Sequence, residues 1–111
     1  MVILKMFLDV LPEKKEELLQ TIKALLNIIR KENGFLDYHL MMDMEDENLF
    51  HLVEEWKAWK DLNRHLKSDQ FRVLYGADHL LSSKMKVEID EISNRTGMET
   101  YQKIQAKGLE Y

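Results

Sequence analysis

Phe50-His51-Leu52-Val53-Glu54-Glu55-Trp56, continuing through Trp59, Leu62, His65, Leu66, Ser68 and Phe71, is the stretch on which the fold turns. Its first half alternates, with aromatic and β-branched residues, in the manner of a strand. Its second half recurs at helical spacing through Trp59, Leu62 and Leu66. A strand therefore runs directly into a helix. Trp56 stands at the junction, where a large ring with one polar handle can wall a pocket between sheet and helix or simply fill the core.

Working outward, Leu49–Trp56 pairs with Phe35–Asp43 as a hairpin around Met44-Glu45-Asp46-Glu47-Asn48. Antiparallel register then aligns Leu36, Tyr38, Leu40 and Met42 with Phe50, Leu52 and Trp56, and brings Glu54 onto the same core face. Asp37, His39, Met41 and Asp43 share the other face with Leu49, His51, Val53 and Glu55.

Before the hairpin, Pro12 opens a helix that extends to about Lys31. Proline takes the tolerated first position, and Glu13, Glu16 and Glu17 meet the positive end of the macrodipole. Leu18, Leu19, Ile22, Leu25, Leu26 and Ile29 form its apolar stripe, and Asn33-Gly34 supplies a left-handed stop. The strand before it, Val2–Val10, is apolar on both faces. After Trp56, a helix to about Lys67 is followed by a second segment capped by Ser68 and carrying Phe71, Leu74 and Tyr75. A last strand alternates Met85, Val87 and Ile89 with Lys84, Lys86, Glu88 and Asp90. The order is βαββαβ, an α+β ferredoxin-like fold with a four-stranded antiparallel sheet and helices on one face. It occupies residues 1–92. Residues 93–111 form a C-terminal arm in which Met98, Tyr101 and Ile104 recur at helical spacing. The arm is expected to pack on a dimer partner.

Composition sets further bounds. The chain has 111 residues, enough for one domain, with 45% hydrophobic and 32% charged residues. Sixteen basic against twenty acidic side chains leave a net charge of -4, without the basic stripe that nucleic acid requires. There is no cysteine, which excludes disulfides and thiolate zinc sites. The apolar amino terminus is interrupted by Lys5 and Asp9 and reads as a strand, not as a signal peptide or membrane span, so a cytoplasmic location is expected. His39 and His51 share a sheet face but have no defined third ligand, and no metal is expected. No phosphate loop, dinucleotide fingerprint or Ser-His-acid order is present.

Glu54-x-Trp56, His65, Ser68 and Phe71, with Pro12, Glu32, Gly34, Tyr38, Asp43 and Phe50 before and among them, resemble the signature of the antibiotic biosynthesis monooxygenase family, a branch of the dimeric α+β barrels. The resemblance runs from Val2 to about Ile92. It implies a homodimer formed by sheet-to-sheet packing. It also implies a cofactor-independent monooxygenase acting on a small electron-rich aromatic of the hydroquinone or polyphenol type. In that reading His65 and Glu54 handle protons, while Trp56, Phe71, Tyr75 and Tyr38 line the substrate site. The haem-degrading relatives use a first-strand asparagine and a haem-ligating histidine on the last helix. Those positions fall near Met6 or Phe7 and near Tyr75 here, so haem degradation is not expected. Each residue also has a structural reading: Glu54 as a paired carboxylate, His65 as a bonded core histidine, and the tyrosines as packing. A non-catalytic ligand-binding or stress-response module on the same scaffold therefore stands beside the enzyme.

Overall fold

The computed structural model describes residues 1–108, so the last three residues of the expected arm lie outside the described residues. The strands are β1 (Val2–Asp9), β2 (Phe35–Met42), β3 (Leu49–Trp56) and β4 (Lys86–Glu91). The helices are α1 (Lys15–Ile29), α2 (Trp59–Leu66), α3 (Asp69–Tyr75) and α4 (Met98–Lys107). All strand pairs are antiparallel, in the order β2-β3-β1-β4. This is the expected α+β, ferredoxin-like arrangement.

The core lies between the sheet and α1, α2 and α3. Val2, Leu4, Met6 and Leu8 of β1 and Phe50, Leu52, Glu54 and Trp56 of β3 alternate into it, and all eight are buried. They meet Leu18, Ile22, Leu25 and Ile29 of α1, Leu62 of α2 and Leu74 of α3. These helix positions recur every three or four residues, which is why one stripe of each helix faces the sheet.

Local differences from the sequence reading have physical causes. The turn Pro12–Lys14 is a 3-10 turn, and the α-helix begins only at Lys15. Phe35, and not Leu36, pairs with Trp56. A bulge at Leu36 shifts the register before Asp37 meets Glu55, and Leu36 is left half-exposed. Val87 and Ile89 align with Met6 and Leu4 on the helix-facing side, yet both stay exposed because β4 is the edge strand beyond the helix layer. The open sheet face carries Ile3, Phe7, Met41 and Val53 among the charge pairs Lys5–Asp90, His39–Asp37 and Arg95–Glu55. The expected arm contains α4, none of whose residues is buried.

Gly34 holds the helix-to-hairpin corner. Its φ of 82° is left-handed, and its carbonyl accepts from Lys57 N at 2.8 Å, tying the start of β2 to the end of β3. The buried Asp61 side chain packs directly on it, so that an added Cβ would lie 2.1 Å from Asp61 Cγ. Gly34→Ala therefore meets both backbone strain and a clash. It should cost about 1–3 kcal/mol from the strain alone, read as a lower urea midpoint with an unchanged slope.

Candidate functional site

Strand alternation puts Glu54 and Trp56 side by side on the core face of β3, where the Trp56 Nε1–H donates to Glu54 Oε1 at 3.1 Å. α2 then carries His65 back over them, on the same stripe as the buried Leu62. The His65 ring stacks on Trp56 with centroids 4.5 Å apart. Its Nε2 lies 3.0 Å from Glu54 Oε1, within ion-pair reach, although the N–H is not aimed along that line. Its Nδ1 lies 2.7 Å from Oε2 of Glu32, in the turn after α1. Ser68, the N-cap of α3, donates its hydroxyl to the His65 carbonyl at 2.6 Å and accepts from Phe71 N. The Phe71 ring then meets the His65 ring edge-on at 5.7 Å.

Four residues from three parts of the chain thus form one line, Glu32–His65–Glu54–Trp56. Glu54 and Trp56 have no accessible surface, His65 is 1% exposed, and the Glu32 side chain reaches solvent at 22%. Burial works to lower the pKa of His65, but the charges and hydrogen bonding of Glu54, then of Glu32, more than offset it, and the net direction is upward. The two carboxylates both favour the protonated imidazole. Among the described residues, Glu54 Oε2 is buried with no hydrogen-bond partner. A carboxylate oxygen left this way carries a desolvation cost that no donor among those residues offsets.

Tyr38 lies opposite Glu54 in the β2–β3 register and is half-buried. Burial, then the negative charge of Glu54, pushes its hydroxyl pKa up against the pull of Arg30, so the phenol keeps its proton and can donate it in a hydrogen bond. Phe71 also belongs to this cluster. Tyr75 does not, since it is 65% exposed at the end of α3 and faces outward. Trp56, His65 and Tyr75 do not converge on one cavity: Trp56 and His65 are sealed by their own stacking. Grooves open beside α2 and α3. One, of about 240 Å³, is lined by Trp59, Lys60, Leu62, Asn63 and Leu66. Another, of about 330 Å³, is lined by Leu66, Phe71, Arg72, Tyr75 and Gly76.

Glu32 enters the sequence reading only as one position of the family signature, with no partner assigned to it. An acid beyond the carboxyl end of a helix opposes the macrodipole, and that local conflict was the available signal of a tertiary partner. On the open face, Asp37, His39 and Glu55 bring potential ligand atoms within 4.8 Å of one another. The Arg95 guanidinium, 3.1 Å from Glu55, already supplies a positive charge there.

The model of the antibiotic biosynthesis monooxygenase family matches residues 1–75. The chain is 33% identical over 95 residues to "Putative monooxygenase YcnE" of Bacillus subtilis (strain 168), covering 84% of this chain and 99% of that one. A solved protein of Pseudomonas aeruginosa is 30% identical with a TM-score of 0.69, covering 86% of this chain and 94% of its own. A structure from Deinococcus radiodurans, titled as a putative antibiotic biosynthesis monooxygenase, is 22% identical with a TM-score of 0.79, covering 87% of this chain and 97% of its own. The chain belongs to the antibiotic biosynthesis monooxygenase family.

Removing the imidazole strands Glu54 as an unpaired buried charge, and His65→Leu should cost about 3–5 kcal/mol. The double variant Glu54→Leu/His65→Leu should recover part of that loss, as read by urea unfolding. The pH dependence has a definite sign. A histidine whose folded pKa lies above the unfolded value of about 6.5 stabilises fully below that value. The contribution is lost as pH rises through the folded pKa. The wild-type Tm should thus fall as pH is raised upward from about 6.5, and His65→Gln should flatten that slope.

Proposed function

We propose that this protein is a cofactor-independent monooxygenase of a small electron-rich aromatic of the hydroquinone or polyphenol type. The observation that carries the reading is the sealed Glu32–His65–Glu54 line, which ends on a carboxylate oxygen with no partner. A phenol of this class needs only a base, an anchor and exclusion of water, because its phenolate can pass an electron to O₂ itself. Glu54 Oε2, which has no accessible surface in the closed structure, takes the phenolic proton when the edge at Phe71 and His65 opens to the substrate. The resulting radical pair recombines to form a C–O bond at a ring carbon bearing hydrogen. Loss of that hydrogen and cleavage of the O–O bond leave a quinone and water, so one oxygen atom enters the substrate. His65, 3.0 Å from Oε1, holds Glu54 in place and is a positioning residue. Glu32 balances it and leads protons to solvent, and Trp56 orients both His65 and Glu54.

Oxygen uptake on a panel of hydroquinones should exceed the uncatalysed rate with wild type and fall by about 10²–10⁴ in Glu54→Gln. Uptake equal to buffer across the panel removes the reading for this substrate class. A second reading, a ligand-binding or stress-response module without oxygenation, is favoured by one observation: Trp56 and Glu54 have no accessible surface. It predicts saturable ligand binding with no oxygen consumed.

The assembly in this reading is a homodimer through the open sheet faces. Met41 is 48% exposed there, beside Ile3, Phe7 and Val53, and covering such a surface contributes about 25 cal/mol per Å² before association costs. Two-fold symmetry lets one patch cover itself. The arm packs on the partner, where Met98 and Tyr101, 64% and 57% exposed, find a cover. Sedimentation equilibrium at low micromolar concentration should give twice the chain mass of 13.3 kDa. A folded monomer under those conditions would remove the dimer.

A further inference from the structure

The helical segment that follows α3 contains a glycine that the backbone does not require. Gly76 has φ -71° and ψ -8°, a conformation open to any residue. A glycine in a helical turn is less favourable than alanine, because it loses more freedom on folding. Close packing does not demand it either, since a Cβ built at Gly76 would meet no atom within 4 Å. What the missing side chain does leave is open space in the groove lined by Leu66, Phe71, Arg72, Tyr75 and Gly76, about 330 Å³ in volume. That size lies at the low end of small-ligand sites and suits a single substituted ring.

The lining has a definite chemistry. Leu66, Phe71 and the ring of Tyr75 are apolar and aromatic, which favours a flat apolar ligand. Arg72 is the one charged side chain among them. Its only ion-pair partner among the described residues, Asp69, stands 3.5 Å away, with the two side chains 73% and 90% exposed. So loose a pair leaves the guanidinium available to a ligand anion, for which its planar fork is well shaped. The inner wall is Phe71, the ring that meets His65 edge-on. The groove therefore adjoins the buried line through one side chain. Leu74 packs α3 into the core on the helix side of the sheet, so a dimer built on the opposite face leaves this groove free.

We propose that this groove is a binding site for a single aromatic ring bearing an anionic group, such as a carboxylate. The ring packs on Phe71 and Tyr75 over Gly76, and the anion pairs with the Arg72 guanidinium. As the substrate class of the proposed oxygenase, this rests on the preceding reading; as a binding site, it stands by itself.

The test separates the two. Ligand-observed NMR titration is run with 2,5-dihydroxybenzoate and with neutral hydroquinone on wild type, Arg72→Gln and Gly76→Leu, with oxygen uptake followed on the same samples. In wild type the benzoate should saturate and bind about two- to five-fold tighter than hydroquinone, as an exposed ion pair allows, with the margin shrinking as salt is raised. Arg72→Gln should abolish the margin while keeping hydroquinone binding. Gly76→Leu should keep an unchanged circular dichroism spectrum and a Tm no lower than wild type, yet lose both ligands. The groove proposal is overturned by no saturation in wild type or by binding that survives Gly76→Leu, and its anionic part by a margin that survives Arg72→Gln. Binding lost in Gly76→Leu with no oxygen uptake in any sample would support the groove and remove the oxygenase. Uptake undiminished in Gly76→Leu would keep the oxygenase and overturn the groove as its substrate site.

Discussion

A carboxylate in the core face of β3 is the constraint that the helix layer answers. Taking Glu54 out of water costs several kcal/mol unless opposite charge and hydrogen bonds replace the lost solvent. β3 itself can provide only the indole N–H of Trp56, two residues on. The positive charge has to come from another element, and α2 provides it by carrying His65 back over the strand. The imidazolium in turn needs a second anion on its far nitrogen, which the turn after α1 supplies in Glu32. Three elements are fixed relative to one another by one buried line. Apolar packing alone would tolerate some sliding, because it is non-directional. The polar line gives that packing a register.

The same constraint explains why the site is closed. Stacking His65 on Trp56 at 4.5 Å shields the His65–Glu54 pair from water and strengthens its attraction, but it also buries both rings. A tryptophan at a strand-to-helix junction can line a pocket or complete a core. Here the demand of a neighbouring carboxylate for a donor decides in favour of the core. The contact with the outside passes through the edges of the line, at Glu32 on one end and at Phe71 beside His65 on the other.

The fold was legible in the sequence to the extent that periodicity specifies it. Alternation in β1 and β3 and the α1 stripe correspond to the observed elements, because side-chain period and backbone geometry are the same fact seen twice, whereas α1 ends at Ile29 and the left-handed Gly34 stands at the entry to β2. The bulge at Leu36 was not legible. It arises where the chain leaves the Gly34 corner, tied to Lys57, and Phe35 is drawn against Trp56 with a centroid distance of 5.8 Å. Such a shift depends on contacts distant in sequence. The exposure of Val87 and Ile89 was likewise hidden, since alternation tells which face a residue takes but not whether a helix reaches over it. The grouping of Glu54, Trp56, His65 and Phe71 was legible. Glu32 as the second carboxylate, and the outward direction of Tyr75, were not, because each depends on how a helix end is rotated.

Local rules broken without local benefit mark the interesting part of this molecule. Gly34 is not such a case: a positive φ and the pressing Asp61 side chain account for it completely. Glu54 places a charge in an apolar core, Glu32 puts an acid past a helix carboxyl end, and Gly76 interrupts a helical run that alanine would stabilise. The first two are resolved by each other through His65, at a cost that hydrophobic residues of similar volume would avoid. The third has no resolution within the chain. Yet Gly76 opens the groove walled by Phe71, and Phe71 touches His65, so all three exceptions are joined through two rings in contact. Their convergence on one side of the sheet, through His65 and Phe71, joins three exceptions that would otherwise be unrelated.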